Sequence, residues 1–243
     1  MMKVKMENIL FVVSDIHGHF NELIVSLKNA GYDLNNPHHK LLVLGDLFDR
    51  GTQSKEVLEY LYSLSLDKKV EIIIGNHDLF LIDFLENQFQ KTIFNIIHNG
   101  FLNTLESLSE LELEMDFKKE EISELIRNKF PYLLNWLKSF PYFIEMNDYI
   151  FVHGGINGSM KNWRDTSLRD FVWSYEHELK SIPNKIVVAG HHRTASIRRP
   201  YESFAHLIDT NPEMFDILYE KGKILIDGFV EVSKKINVLI IEF

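Results

Sequence analysis

The 243-residue sequence contains no cysteine, and this absence excludes disulfide bonds and thiolate metal ligands. It also lacks an excess of positive charge. The formal net charge is −9, which argues against broad binding to nucleic acid or to an anionic membrane. No apolar run approaches the roughly 18 residues that span a bilayer, and Asp15 ends the N-terminal apolar run too early for a signal peptide. We therefore expect a soluble, cytoplasmic protein with one domain over residues 1–243.

Short apolar runs, each followed at once by a polar cluster, are the main feature that the sequence does have. Runs of this kind predict strands that are buried on both faces. Because binding groups collect at the carboxyl ends of such strands in layered α/β proteins, the clusters are expected to meet at one place. The pairs are ILFVV with SDIHGHF, LLVL with GDLFDRG, VEIII with GNHD, YIFV with HGG, and KIVVA with GHHRT.

Helical patterns separate these strands. Residues 20–30 and the segment that begins at Ser54 have apolar positions at helical spacing, with Ser54 expected as the N-cap. The stretch from about 79 to 140 has several amphipathic patterns and no buried-strand run, which predicts a helical insertion or cap on an α/β core. In the tail, KILIDG and NVLIIEF are expected to form a closing hairpin.

The polar clusters combine carboxylate, imidazole and amide groups. Such a nitrogen and oxygen donor set suits manganese, iron or zinc better than magnesium. Several carboxylates at a water-poor edge would repel one another, and divalent cations remove that cost. The residues concerned are Asp15, His17, Asp46, Asp49, Arg50, Asn76, His77, Asp78, His153, His191 and His192.

The run SDIHG, GDLFDRG, GNHD, HGG and GH closely resembles the calcineurin-like metallophosphoesterases. It is most similar to their phosphoprotein phosphatase branch, whose motifs are GDxHG, GDxxDRG and GNHE. That branch includes bacterial and phage Ser/Thr phosphatases and symmetrical diadenosine tetraphosphatases. NGFLNTLESL also resembles the NGG-x-x-T segment of its bacterial members. The resemblance implies an α/β sandwich of two mixed β-sheets flanked by helices, with two metals at the strand ends.

The resemblance also implies a set of metal ligands. Two divalent ions are expected, with manganese preferred and iron or zinc as alternatives. Asp46 would bridge both ions. Asp15 and His17 would complete the first site, and Asn76, His153 and His191 would complete the second. His191 is preferred to its neighbour His192 because it directly follows Gly190.

The resemblance assigns catalytic roles as well. A metal-bridging hydroxide would attack phosphorus, and His77 would act as the general acid that protonates the leaving oxygen. Asp49 would orient His77. Arg50 would hold a phosphate oxygen, for which its planar fork is suited. Asn76 and Arg193 are further candidates for substrate binding.

The sequence departs from the family pattern at several positions. Asp78 replaces the glutamate of GNHE and is one methylene shorter, which puts its reach in question. Tyr175 stands where bacterial members often carry a phosphate-clamping arginine. Arg193 could supply the missing charge or lie in a solvated loop, and both interpretations remain open, whereas a solvated loop is preferred for Arg198 and Arg199. The three tryptophans, Trp136, Trp163 and Trp173, are interpreted as packing residues rather than a base-stacking platform.

Three functions remain open from the sequence. The first is a metal-dependent phosphatase that acts on phosphoseryl or phosphothreonyl protein or on small phosphomonoesters. The second is a symmetrical dinucleoside tetraphosphate hydrolase, whose substrate needs more cations and a deeper cleft. The third is a non-catalytic scaffold, which is disfavoured because every expected ligand and His77 are present.

Overall fold

The computed structural model describes residues 8–174 and 182–243. In these ranges the apolar runs predicted as strands do form strands, because their side chains are buried on both faces of a sheet. In chain order the strands are β1 (Ile9–Val13), β2 (His39–Val43), β3 (Val70–Ile72), β4 (Phe143–Met146), β5 (Tyr149–Val152), β6 (Ile186–Ala189), β7 (Leu218–Glu220), β8 (Lys223–Leu225) and β9 (Leu239–Glu242).

The strands pair into two mixed sheets. The first has the order β3-β2-β1-β9, in which the first three strands are parallel and β9 is antiparallel to β1. The second has the order β4-β5-β6-β8-β7, in which β5, β6 and β8 are parallel and the edge strands are antiparallel to their neighbours. With the helices that flank them, these sheets confirm the predicted α/β fold.

Helices connect most of the strands. No helix within residues 8–174 and 182–243 combines the length and hydropathy that a membrane crossing requires. The α-helices are α1 (Phe20–Asn29), α2 (Ser54–Leu66), α3 (Asn76–Leu85), α4 (Ile93–His98), α5 (Phe101–Ser109), α6 (Lys119–Lys129), α7 (Leu133–Lys138), α8 (Leu168–Trp173), α9 (Thr194–Arg198), α10 (Phe204–Thr210) and α11 (Val230–Ser233).

The alternation of side chains along β1 shows how the layers stack. Leu10 and Val12 face the second sheet and pack with residues such as Phe151, whereas Phe11 and Val13 face a larger cluster formed with the helices α1 to α7. The outer face of the second sheet has its own apolar cluster, which includes Trp163 and Phe171. The two sheets therefore lie face to face with helices outside them, and both sheets end in loops at the same edge.

Two local predictions are wrong. The tail does not form a closing hairpin: β8 pairs with β6 and β7 in the second sheet, whereas β9 pairs with β1 in the first. The chain between them, which contains α11, crosses from one sheet to the other, and a hairpin would hold both strands in one sheet. Ser54 is also not an N-cap. The cap position is Gln53, and the Ser54 hydroxyl lies 3.3 Å from that of Thr104.

The stretch 79–140 contains helices and no strand among its residues, all of which the structure describes. Helices α3 to α7 lie between β3 and β4 in the sequence and contribute to the large cluster on the outer face of the first sheet. The interpretation of this stretch as an insertion within a single domain stays a prediction.

Candidate active site

The predicted ligands meet at one edge of the two sheets. The two oxygens of Asp46, which follows β2, face different histidines. Asp46 Oδ2 lies 3.6 Å from His17 Nε2, and Oδ1 lies 3.4 Å from His153 Nε2. Asp15 Oδ1 is 4.0 Å from His17 Nε2, and both carboxylate oxygens of Asp15 accept from the backbone N–H of His191. Side chains from both sheets therefore surround one buried carboxylate.

Two groups of donor atoms share Asp46. One consists of His17, Asp46 and His77, the other of Asp46, His153 and His191, and in each group the ligand atoms lie within 4.8 Å of one another. A carboxylate common to both groups is the geometry that a bridging ligand requires. The first group contains His77, to which the sequence assigns an acid rather than a ligand role.

Backbone carbonyls fix the orientation of the His17 and His153 rings. His17 Nδ1 donates to the carbonyl of Phe48 at 2.8 Å, and His153 Nδ1 donates to the carbonyl of Leu44 at 2.6 Å. Both rings therefore turn Nε2 toward Asp46, as expected for a ring whose other nitrogen is held by its surroundings.

The contact between His153 and Asn76 shows that this point requires positive charge. His153 Nε2 lies 2.9 Å from Asn76 Oδ1, an atom that can only accept. Burial lowers the pKa of His153, but Asp46 outweighs it and raises the pKa to about 10. A proton on Nε2 or a bound metal ion would satisfy this contact, and the oxygen and nitrogen donors around it fit manganese, iron or zinc.

The charge states of Asp46 and His191 agree with this donor set. Burial opposes ionisation of Asp46, but His153, His77 and His17 hold the pKa of its carboxyl well below the usual range. Burial and His153 lower the pKa of His191 to about 3, so its imidazole stays neutral. A carboxylate and a neutral imidazole are the forms that bind a divalent ion.

The backbone at this edge is unusual. Six candidate site residues have a left-handed conformation, with φ between 48° and 73°. Such a conformation is costly for residues other than glycine, and all six residues lie in the loops that follow β1, β2 and β6. The six residues are Asp15, His17, Asp46, Asp49, Arg50 and His191.

Two glycines allow the loops to approach one another. Gly45 has φ +82°, and a Cβ there would collide with the backbone nitrogen of Gly75 at 2.5 Å. A Cβ on Gly75 would in turn collide with Asp46. The loops after β2 and β3 are thus in backbone contact, which places Asp46 beside His77.

His77 and Asp49 form a buried pair. His77 Nδ1 donates to Asp49 Oδ2 at 2.6 Å, which leaves Nε2 facing the centre. Burial lowers the pKa of His77, but Asp46 and the hydrogen bond to Asp49 outweigh it and raise the pKa above its ordinary value. His77 can therefore hold a proton at Nε2, as a general acid must.

Thr104 supports this pair and was not selected from the sequence. Its hydroxyl accepts from the backbone N–H of Asp49 at 2.7 Å and donates to Asp49 Oδ1 at 2.9 Å. The signal was available, because Thr104 is the threonine of the segment that resembles NGG-x-x-T. The spacing of that segment has a physical consequence in this chain, because it brings a hydroxyl to the carboxylate that holds His77.

Asp78 reaches its partners in spite of its shorter side chain. Its Oδ2 accepts from the backbone N–H groups of Gly75 and Asp46 at 2.8 and 3.0 Å, and its Oδ1 accepts from that of Leu47 at 2.9 Å. Burial and the charge of Asp46 raise the pKa of Asp78 to about 7. Asp78 therefore ties the loop after β2 to the first turn of α3.

Replacing Asp78 with asparagine is expected to destabilise the fold. The amide has one acceptor oxygen, so at least one buried N–H loses its partner, at a cost of about 1–3 kcal/mol. Urea denaturation of the metal-loaded protein measures the change in the free energy of unfolding. Asp67→Asn, an exposed position on the C-terminal side of α2, is the control. Equal midpoints for the two variants would contradict the role of Asp78.

A cavity of about 310 Å³ opens onto the centre. It is lined by Asp46 and His77 and by both of the arginines expected to bind substrate, Arg50 and Arg193. Arg50 Nη2 lies 3.4 Å from His77 Nε2, so the guanidinium stands beside the proposed acid. Arg193 thus lines the cavity instead of lying in a solvated loop.

The predictions for Arg198, Arg199 and Tyr175 have three different outcomes. Arg198 does not lie in a solvated loop: its guanidinium donates to the backbone carbonyls of Met214, Asp216 and Ile217 and has a structural role. Arg199 is exposed and pairs with Glu202 at 3.6 Å, in agreement with its prediction. Tyr175 lies outside the described residues.

A second cavity of about 300 Å³ adjoins the first and shares Ser174 and His191 with it. Arg169 and Trp173, which lie one helical turn apart on α8, also line it. Trp163 is buried, as predicted, whereas Trp173 is 38% exposed and packs against Phe80, with 5.5 Å between the ring centroids. The interpretation of Trp173 as a packing residue is therefore wrong in part.

Comparison with curated proteins finds relatives named symmetrical bis(5′-nucleosyl)-tetraphosphatase. The chain is 44% identical to the protein of Buchnera aphidicola (subspecies Schizaphis graminum) over 73 residues, which are 30% of this chain and 25% of the relative. It is 25% identical to that of Neisseria meningitidis over 170 residues, 70% of this chain and 50% of the relative. The chain thus spans a quarter to a half of the length of these two relatives.

Solved structures share the fold. A candidate diadenosine tetraphosphatase matches with a TM-score of 0.55 and 15% identity, over 100% of this chain and 95% of that one. A serine/threonine phosphatase of Saccharomyces cerevisiae matches with a TM-score of 0.58 and 14% identity, over 99% and 81%. At such identities the likeness concerns the fold alone.

The family assignment rests on a longer match. A family model described as calcineurin-like phosphoesterase matches residues 10–226, a span that runs from β1 to the end of β8 and includes each expected metal ligand. The arrangement of the strand ends around Asp46 agrees with the motifs on which the sequence resemblance rested. The chain therefore belongs to the calcineurin-like phosphoesterase family.

Proposed function

We propose that the protein is a phosphoester hydrolase that depends on two divalent metal ions. One observation carries the proposal: two donor groups share Asp46 beside a His77–Asp49 pair and an arginine, all at one cavity. Asp15, His17, Asn76, His153 and His191 would complete the two metal sites. Manganese is the proposed ion, with iron or zinc as alternatives, because the donors are oxygen and imidazole nitrogen without sulfur.

The residues of this chain have separable tasks in such a reaction. When bound, the metal ions would activate water and neutralise charge on the phosphoryl group. Arg50 Nη2 faces the cavity and would donate to a phosphoryl oxygen, where charge develops during transfer. His77 Nε2 would pass its proton to the leaving oxygen, and Asp49 would hold the ring in place through Nδ1.

We propose two substrate classes. A phosphomonoester, either small or on a seryl or threonyl side chain, needs only the metal centre, Arg50 and His77. A symmetrical dinucleoside tetraphosphate is supported by the names of the relatives and by two features of this chain. Arg193 adds a second cation to the cavity, and the adjoining space beside Trp173 could hold a base by stacking.

A metal-titrated assay separates these classes. The enzyme is stripped with a chelator, assayed, and then supplied with Mn²⁺ in the presence of p-nitrophenyl phosphate, a phosphoseryl peptide or diadenosine tetraphosphate. We expect activity to vanish on chelation and to return with the metal, because both the nucleophile and the neutralising charge depend on it.

The profile of substrates decides between the two classes. Faster turnover of diadenosine tetraphosphate than of both monoesters would assign the protein to the second class, and the reverse order to the first. Activity that persists in protein shown by elemental analysis to be metal-free would contradict a metal-dependent mechanism. No turnover of any substrate with Mn²⁺ would favour the non-catalytic scaffold.

A further inference from the structure

Glu231, on α11, lies between the two arginines of the main cavity. Its Oε1 accepts from Arg50 Nη1 at 2.5 Å and lies 3.8 Å from Arg193 Nη2. The second oxygen, Oε2, is buried and has no hydrogen-bond partner in the part of the chain that the structure describes. One carboxylate thus joins the loop after β2 to the loop after β6.

The geometry of Arg50 shows which edge of its guanidinium is held. Nη1 donates to Glu231, whereas Nη2 lies 3.4 Å from His77 Nε2 and faces the centre. A guanidinium is a planar fork that can donate to two acceptors at once. Glu231 therefore occupies one edge and leaves the other edge directed toward the phosphoryl site.

Arg193 is held by the same turn of chain. Its guanidinium lies 3.7 Å from the ring centroid of Phe229, and the backbone N–H of Thr194 donates to the carbonyl of Asp227 at 3.0 Å. Arg50 and Arg193 line the same cavity and both lie near Glu231 Oε1, so their like charges are close together and repel each other. A carboxylate between them offsets this repulsion.

We propose that Glu231 is a positioning residue that holds Arg50 and Arg193 ready to bind a phosphoryl group. The inference rests on the proposed function for the identity of the bound group. It adds that the affinity for phosphate depends on the segment between β8 and β9, which contains Glu231. Glu231 also carries a negative charge that repels phosphate. The direct charge-assisted hydrogen bonds from an ordered arginine outweigh that repulsion, since the carboxylate lies on the far edge of Arg50.

Glu231→Gln tests this role because it removes the charge and nearly keeps the shape. We expect KM for p-nitrophenyl phosphate and the inhibition constant of inorganic phosphate to rise about tenfold, the equivalent of one weakened charge-assisted hydrogen bond. We expect kcat to fall by a smaller factor than KM rises, because Arg50 holds the phosphoryl group in the bound substrate and also meets the charge that develops during transfer. Glu231→Asp, which keeps the charge, should recover part of the loss.

Two controls accompany the variant. Glu220→Gln removes a carboxylate from β7. Glu220 pairs with Lys223 at the start of β8, and the site lies at the other end of β8. This variant should leave KM and the inhibition constant of phosphate unchanged. Metal content and thermal midpoint are measured for each protein. A lower inhibition constant of phosphate in Glu231→Gln would overturn the proposal, since the carboxylate would then compete with phosphate for the arginines. A fall in kcat with KM unchanged would overturn it as well.

Calorimetry with inorganic phosphate on the Mn²⁺-loaded protein separates this inference from the proposed function. Weaker phosphate binding in the variant supports the inference even if no phosphoester is hydrolysed, in which case the proposed function alone fails. If the wild type is active and the variant binds phosphate equally well, the inference alone is contradicted. Absence of phosphate binding to the wild type contradicts both.

Discussion

Replacing Asp46 with asparagine is expected to lower turnover by at least about 10³-fold, since metal-ion catalysis supplies several kcal/mol of transition-state stabilisation. The structure gives the physical reason. Asp46 is the only residue common to the two donor groups found among the described residues, and its oxygens face His17 on one side and His153 on the other. A neutral amide offers one acceptor, so one of the two groups must lose its shared ligand.

Metal content and activity are measured together on this variant. Elemental analysis should find less than two ions bound per chain, in parallel with the loss of turnover. Asp209→Asn, an exposed position in α10, is the matched control and should behave as the wild type. An Asp46→Asn enzyme with full activity would remove the shared-ligand role and with it the proposed two-metal mechanism.

Replacing His77 with asparagine is expected to leave metal content unchanged and to lower turnover by roughly 10²–10⁴-fold for substrates with poor leaving groups. His77 Nε2 faces the cavity while Nδ1 is held by Asp49, an arrangement suited to proton donation rather than to ligation. p-Nitrophenolate leaves without a proton, so turnover of its phosphate should fall much less than that of an alkyl phosphate.

The ratio of the two losses is the measurement that matters. His98→Asn, an exposed histidine on α4, is the control for the substitution itself. Equal losses for the activated and the unactivated ester would show that His77 is not the acid. Loss of metal from the variant would instead show that His77 is a metal ligand. The measurement tests this directly, because His77 belongs to one of the two donor groups.

The meeting of the polar clusters could be predicted from the sequence because each follows an apolar run that has few structural alternatives. Such runs form strands buried on both faces, parallel strands end at the same edge, and the residues that follow them must meet. Asp15 and Asp46 are positioned in this way, because β1 and β2 are parallel neighbours in one sheet. His153 follows β5 of the second sheet, so its place beside Asp46 also depends on how the two sheets pack.

Glu231 could not be predicted in this way. It follows no apolar run directly, and it reaches Arg50 only because β8 and β9 belong to different sheets, so that the chain between them passes the cavity. The hairpin expected in the tail would have placed it elsewhere. Arg193 remained open for the same reason, since its position depends on Phe229 in that turn.

The left-handed backbone that follows the strand ends implies a conflict between the stability of the fold and the binding of metal. Glycine adopts such a conformation freely, so His17→Gly should relieve strain, of order 1–3 kcal/mol per residue, while it removes a donor atom. The same substitution would leave the buried carbonyl of Phe48 without its partner. The strained backbone is therefore retained because the side chain that it carries supplies the donor atom.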